Sequence, residues 1–269
     1  MKRFKSIVIL LVSSILLSAC GEATSNDSNQ VKETDLDIAT LEQILEMKGV
    51  TKDGEYKVTV PQNDLHVMVD GFQIIPPMGL GSWAAFSPGQ EGAMVMGDIV
   101  VTESDLKPVQ QEVIRQGLTV TAIHNHFLRD DPHVMYMHIG GMGSEEKLAR
   151  GVKAVLEKVR QVRGINPADG SKESVEFSLD TAQLNSVLGS KGEFSRGVYK
   201  HTIGRADVDL KDHDAEVTSF LGFNTWAAWQ GTAEKAAVAG DFAMLEDEVA
   251  PVIQALVEND IEVVAVHNH

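Results

Sequence analysis

Apolar and polar residues alternate along "EYKVTV" (55–60), and with the apolar run inside "DLHVMVDG" (64–71) this predicts two strands joined by a turn. "GAMVMGDIVV" (92–101) and "LTVTAIHNH" (118–126) predict two more strands. Between these, Leu106, Val109, Val113 and Ile114 recur at helical spacing, with Thr102 and Asp105 placed as a capping box and Pro108 near the helix start. A further helix is predicted by Leu148, Val152, Val155, Leu156 and Val159, after the breaker region from Gly140 to Gly143. The fold class predicted is α+β, a mostly antiparallel sheet with packed helices.

The same pattern occurs twice. "GSWAAFSPGQEGAMVMGDIVVTESDLKPVQQEVIRQGLTVTAIHNH" is followed by "NTWAAWQGTAEKAAVAGDFAMLEDEVAPVIQALVENDIEVVAVHNH". Trp83 matches Trp226, Asp98 matches Asp241 and His124 matches His267, and each pair is separated by 143 positions. Upstream the offset pairs Tyr56-Lys57 with Tyr199-Lys200. An ungapped match this long predicts tandem duplicated domains, because the period far exceeds that of a solenoid unit. The first is placed at 39–165 and the second at 166–269. His269 matches His126, so the second copy lacks the strand and helix that follow His126 in the first, and it reads as truncated at its C-terminal end.

Composition changes the picture at the N-terminus. "MKRFKSIVILLVSSILLSAC" has a basic start, a short apolar run and small residues before the sole cysteine, the order of parts in a secretory signal peptide over 1–19. Leu17-Ser18-Ala19-Cys20 resembles a bacterial lipobox, which makes Cys20 the lipidated first residue of the mature chain. Residues 20–38, polar at first, read as a flexible tether from a membrane surface. With one cysteine there is no disulfide and no thiolate metal site. Removing Lys2, Arg3 and Lys5 takes the net charge from −16 to −19, which argues against nucleic acid as a partner and is compatible with attracting cations.

The candidate chemistry lies in "TAIHNHFLRDDPHVMYMHIGG" (121–141). On a strand His124 and His126 share one face. A hairpin centred on Asp131-Pro132 would set His124 opposite His138 and His126 opposite Tyr136, bringing three imidazoles together as ligands for a divalent transition metal, with zinc preferred. Asp98 and Glu103 are the acids expected to add a ligand or a general base. The second copy offers His267, His269, Asp241 and Glu246, but no counterpart of His138, so only the first copy is expected to bind tightly. The bland alternatives are a hydrogen-bonded histidine seam, a turn cap at Asp98 and helix-dipole stabilisation at Glu103. His133 and His66, the latter matched by Asp209, are weaker candidates, and Trp83 and Trp226 read as core.

His-Asn-His invites comparison with HNH nucleases, but an acidic chain lacks the basic surface they need. A cupin carries His-x-His too, yet a helical pattern here precedes the motif where a cupin would continue its barrel. The lipobox, the repeated "SWAAF", "MVMGDIVVTESDLKPV" and "HNHFLRDDPHVMYMHIGG" resemble the LppY/LpqO-like family of bacterial lipoproteins. That resemblance implies secretion, a duplicated domain of no established function, and a second copy that continues past its His-Asn-His. Three functions are therefore weighed: an envelope lipoprotein binding a metal or small ligand, a metal-assisted hydrolase of the envelope, and an interaction module without metal.

Overall fold

The structure is a computed structural model that describes residues 35–89, 92–165, 174–213 and 215–268. The leader, Cys20 and His269 lie outside the described residues, as do residues 166–173 at the join between the copies. Residues 32–269 cluster as one compact unit, so the two copies share one body.

The first copy runs α1 (Ile38–Leu45), β1 (Val50–Lys52), β2 (Glu55–Pro61), β3 (Val67–Val69), β4 (Phe72–Ile74), β5 (Gly81–Gly89) and β6 (Gly92–Thr102). It continues as α2 (Glu103–Arg115), β7 (Thr119–Asn125), β8 (Asp130–Asp131), β9 (Val134–Gly143) and α3 (Glu145–Arg163). The second copy contains α4 (Thr181–Leu188), β10 (Glu193–Ser195), β11 (Val198–Gly204), β12 (Lys211–Asp212), β13 (Ala215–Glu216), β14 (Asn224–Gly231), β15 (Ala236–Asp241) and α5 (Glu246–Glu258). The starts of α1 and α4, β1 and β10, β2 and β11, and α2 and α5 all differ by 143, so the sequence offset is also a structural one. Duplicated α+β architecture with antiparallel strand pairs is what the chain adopts.

The main sheet has the order β1-β2-β5-β6-β9-β7, and the second copy forms a smaller one, β10-β11-β14-β15. β6 is buried along nearly its whole length because both of its faces are covered. Alternation along the strands separates the two faces. Tyr56, Val58, Phe86, Val95, Ile99, Met137 and Ile139 pack with Val109, Val113, Leu148, Val152 and Val155 of α2 and α3. The opposite face carries Val100 and Tyr136 against Val198, Ala228 and Trp226, and Ala85 and Met94 against Ala215, Val217 and Leu221. The second copy therefore covers the face of the first sheet that its helices leave open.

The α2 start is as the sequence predicts: the Asp105 carboxylate accepts the Thr102 N–H at 2.9 Å. Pro108 sits further in, within the helix. Asp105 is fully buried and is neutralised by Arg163 from the end of α3. Its counterpart Glu248 is instead paired with Arg205, which follows β11, so a different element supplies the cation in the second copy. Ile114, expected in the core, is exposed. "DLHVMVDG" makes only the short β3 before turning at Asp70-Gly71 into β4. Residues 262–268 match β7 yet form no strand: in the first copy β7 pairs with β9, which has no counterpart within residues 1–269.

Candidate metal centre

The hairpin register differs from the expected one by two residues. Tyr136 is the partner of His124, and His138 is the partner of Ala122. The connection is not a tight turn on Asp131-Pro132. Asp130 and Asp131 pair with β3, and the Asp130 carboxylate accepts the Val134 N–H at 2.8 Å, which fixes where β9 begins. β7 also carries a bulge between Val120 and Ala122. A slip of two leaves the side-chain face unchanged, so the two histidines still meet: His124 Nε2 and His138 Nε2 are 2.9 Å apart. His126 lies just beyond the end of β7, with its ring 5.3 Å from that of His124. His133 is turned away and bonded to Asp130 at 2.9 Å.

Asp98 enters from β6, where it is the direct cross-strand partner of His138, and its Oδ2 stands 3.7 Å from His138 Nε2. It is 7% exposed and its Oδ1 has no hydrogen-bond partner. Burial, reinforced by the negative charge of Asp241, pushes its pKa up to about 8, against an opposing pull from Lys57. Glu103 and Glu246 do not join this group. Each is the exposed first residue of its helix, α2 or α5, where a carboxylate favours the helix dipole. His66 and Asp209 are exposed and also lie outside the cluster.

The second copy contributes directly, which corrects the expectation of a separate, incomplete site there. His267 stacks on His124 with ring centroids 3.8 Å apart and planes 18° from parallel, and meets His138 edge-on at 4.9 Å. One ligand atom each from His124, His138 and His267 falls within 4.8 Å of the others, and so does one each from Asp98, His124 and His126. Asp241 of β15 faces His126 at 3.9 Å. Burial, the largest effect, holds His126 down at about 4, so it is neutral near pH 7 and this contact is not then an ion pair.

The ring orientations suit metal ligation. His124 Nδ1 lies 3.1 Å from the carbonyl of Asn125, and His267 Nδ1 lies 2.9 Å from that of Asn268. A carbonyl only accepts, so each Nδ1 must be the donor, and in a neutral ring this leaves the Nε2 lone pair for another partner. Metal-binding histidines are usually oriented in this way by their other nitrogen. The His-Asn dipeptide thus sets the same tautomer in both copies.

Around the cluster, Tyr136 is fully buried, donates to the Gly79 carbonyl at 3.1 Å and packs edge-on to His126 at 4.1 Å. Trp226 is 5.9 Å from His126, and its ring closes over Gly79, where an added Cβ would come within 3.0 Å. Trp83 and Trp226 are partly buried, and each lies under a lysine: Lys57 Nζ and Lys200 Nζ are both 3.9 Å from the ring centroids. The tryptophans therefore do more than fill the core. These lysines were not singled out from the sequence, although the repeat of Tyr56-Lys57 as Tyr199-Lys200 was its only signal.

No curated protein and no solved structure matches this chain. A family model does, over residues 39–158 and again over 182–269, two segments that reproduce the duplication and together contain Asp98, the four clustered histidines and Asp241. The chain belongs to the family described as Domain of Unknown Function (DUF1259).

Proposed function

We propose that this protein is a lipid-anchored envelope protein, of the LppY/LpqO-like kind, that binds a divalent transition metal at the seam between its two copies. His124, His138 and His267 are the nitrogen ligands, and Asp98, which groups with His124 and His126 and stands 3.7 Å from His138, is the carboxylate ligand. Imidazole with one carboxylate suits zinc among the available divalent ions. The observation that carries this reading is the convergence of three imidazoles from three separate chain segments, two of them oriented by the carbonyl that follows them. The unpartnered, buried Asp98 Oδ1 fits the same reading, since a buried carboxylate oxygen needs a donor or a cation.

Elemental analysis of the chain purified without a metal-binding tag or chelator is the test, followed by zinc titration of the metal-free protein. About one equivalent of bound metal is expected, reduced by Asp98→Asn. Absence of a transition metal, with none taken up on titration, would leave the histidines as a hydrogen-bonded seam and the protein as an interaction module.

A further inference from the structure

Each copy lays a lysine, a tryptophan and an aspartate across neighbouring strands. Lys57 of β2, Trp83 of β5 and Asp98 of β6 form one such row, and Lys200 of β11, Trp226 of β14 and Asp241 of β15 form the other. Trp83 is the strand partner of Asp98, and Trp226 of Asp241. Both ammonium groups rest at 3.9 Å on their tryptophan, and Lys57 Nζ also donates to the Phe220 carbonyl at 3.0 Å. Among the described residues neither ammonium has a carboxylate oxygen within ion-pair distance. The cations are thus held on neutral partners, an arrangement that leaves their charge available.

We propose that Lys57 and Lys200 form, beside the histidine cluster, a binding site for a small oxyanion, a phosphate or carboxylate group. Two partly buried ammoniums with no carboxylate at ion-pair distance are costly, and an anion offsets that cost. Both are depressed to about 8, first by burial and, for Lys57, then by repulsion from Lys200. Lysine is a point-charge binder of phosphate and carboxylate, and a cation–π contact fixes the ammonium while its N–H donors stay free for the ligand. Both rows end on the cluster: Asp98 of the first stands 3.7 Å from His138, and Asp241 and the Trp226 ring of the second stand 3.9 and 5.9 Å from His126. Charge balance points the same way. With the metal bound and Asp98 ionised as its ligand, the divalent ion and the two lysines carry four positive charges, against three negative ones from Asp98, Asp241 and Glu55, the acids that bear on these lysines. The increase in anion affinity on adding metal rests on the metal reading; the lysine site itself does not.

The test is titration of the metal-free full-length chain with inorganic phosphate and, separately, with malonate, followed by tryptophan fluorescence and thermal melting. The response is expected to saturate, to raise the melting temperature, and to strengthen when zinc is loaded first. Whichever anion binds more tightly identifies the source of the oxyanion. Lys57→Met combined with Lys200→Met should weaken binding at least tenfold, whereas the double arginine variant should keep it. Phosphate bound equally by the double methionine variant and the parent, or no saturable response to either anion, would overturn the proposal. Anion binding without zinc uptake would uphold the lysine site and defeat the metal reading, and zinc uptake without an anion response would do the reverse.

Discussion

Replacing His267 by alanine separates a metal centre shared between the copies from one contained in the first. In the four-ligand arrangement His267 supplies one of three imidazoles, stacked 3.8 Å from His124. Structural zinc sites are worth about 12 kcal/mol for four ligands. One ligand then averages about 3 kcal/mol, or about a hundredfold in affinity at 1.4 kcal/mol per factor of ten. His138→Ala should lose the same amount, since His138 occupies the same rank in the cluster. A modest rearrangement accompanies binding. Two nitrogens on one tetrahedral zinc stand about 3.3 Å apart, so the His124–His138 pair, at 2.9 Å, opens by a few tenths of an ångström and gives up its shared proton. The assay is competition for zinc against a chromophoric chelator at neutral pH, with folding checked by circular dichroism. His213→Ala, in an exposed turn of the second copy, serves as the unchanged control. If His267→Ala bound zinc as tightly as the parent while His138→Ala lost about a hundredfold, the first copy would be binding alone and the inter-copy stacking would be irrelevant to the metal.

Lys57→Met should stabilise the metal-free protein at pH 7 by an amount on the order of 3 kcal/mol, because a depression from 10.5 to about 8 is the penalty for keeping that cation in the fold. Between about pH 8 and 10.5 the unfolded chain binds the extra proton, so parent stability rises through that window and the gap should close; chemical denaturation across it that found a constant gap would contradict the assignment. Gly79→Ala should cost about 2 kcal/mol, because Gly79 holds φ +110 and the new methyl meets the Trp226 ring; an unchanged melting temperature would mean that the ring is not seated there. Cys20→Ser should abolish lipidation and membrane partitioning, and acyl chains retained on the substituted protein would refute the lipobox reading.

The sequence by itself determined what depends on local period and on repetition. The 143-residue offset was visible in identities and recurs in the element boundaries. The cap at Thr102 and Asp105, the helix under Leu148 to Val159 and the strands around Val58, Val95 and Val120 follow from period and capping chemistry within a few residues of themselves. β5 was not legible as a central strand, because Ser82, Ala84, Ala85, Ser87 and Pro88 have weak strand preference and are held there by neighbours on both sides.

Tertiary structure decided which residues meet. The meeting of His124 and His138 survived an error of two in the assumed register because side chains alternate with that same period, whereas an error of one would have separated them. Asp98 and Glu103 could not be distinguished as candidates by spacing: five residues apart, one faces His138 across a sheet and the other faces solvent at a helix start. The role of His267 was beyond reach for a deeper reason. Its approach to His124, 143 positions away, depends on how one copy covers the open face of the other's sheet, and that packing is fixed by the fit of Trp226 over Gly79 and of Val217 and Leu221 against Ala85 and Met94, which no local pattern encodes. Periodicity tells each residue which face it occupies, and only the packed faces tell it what it touches.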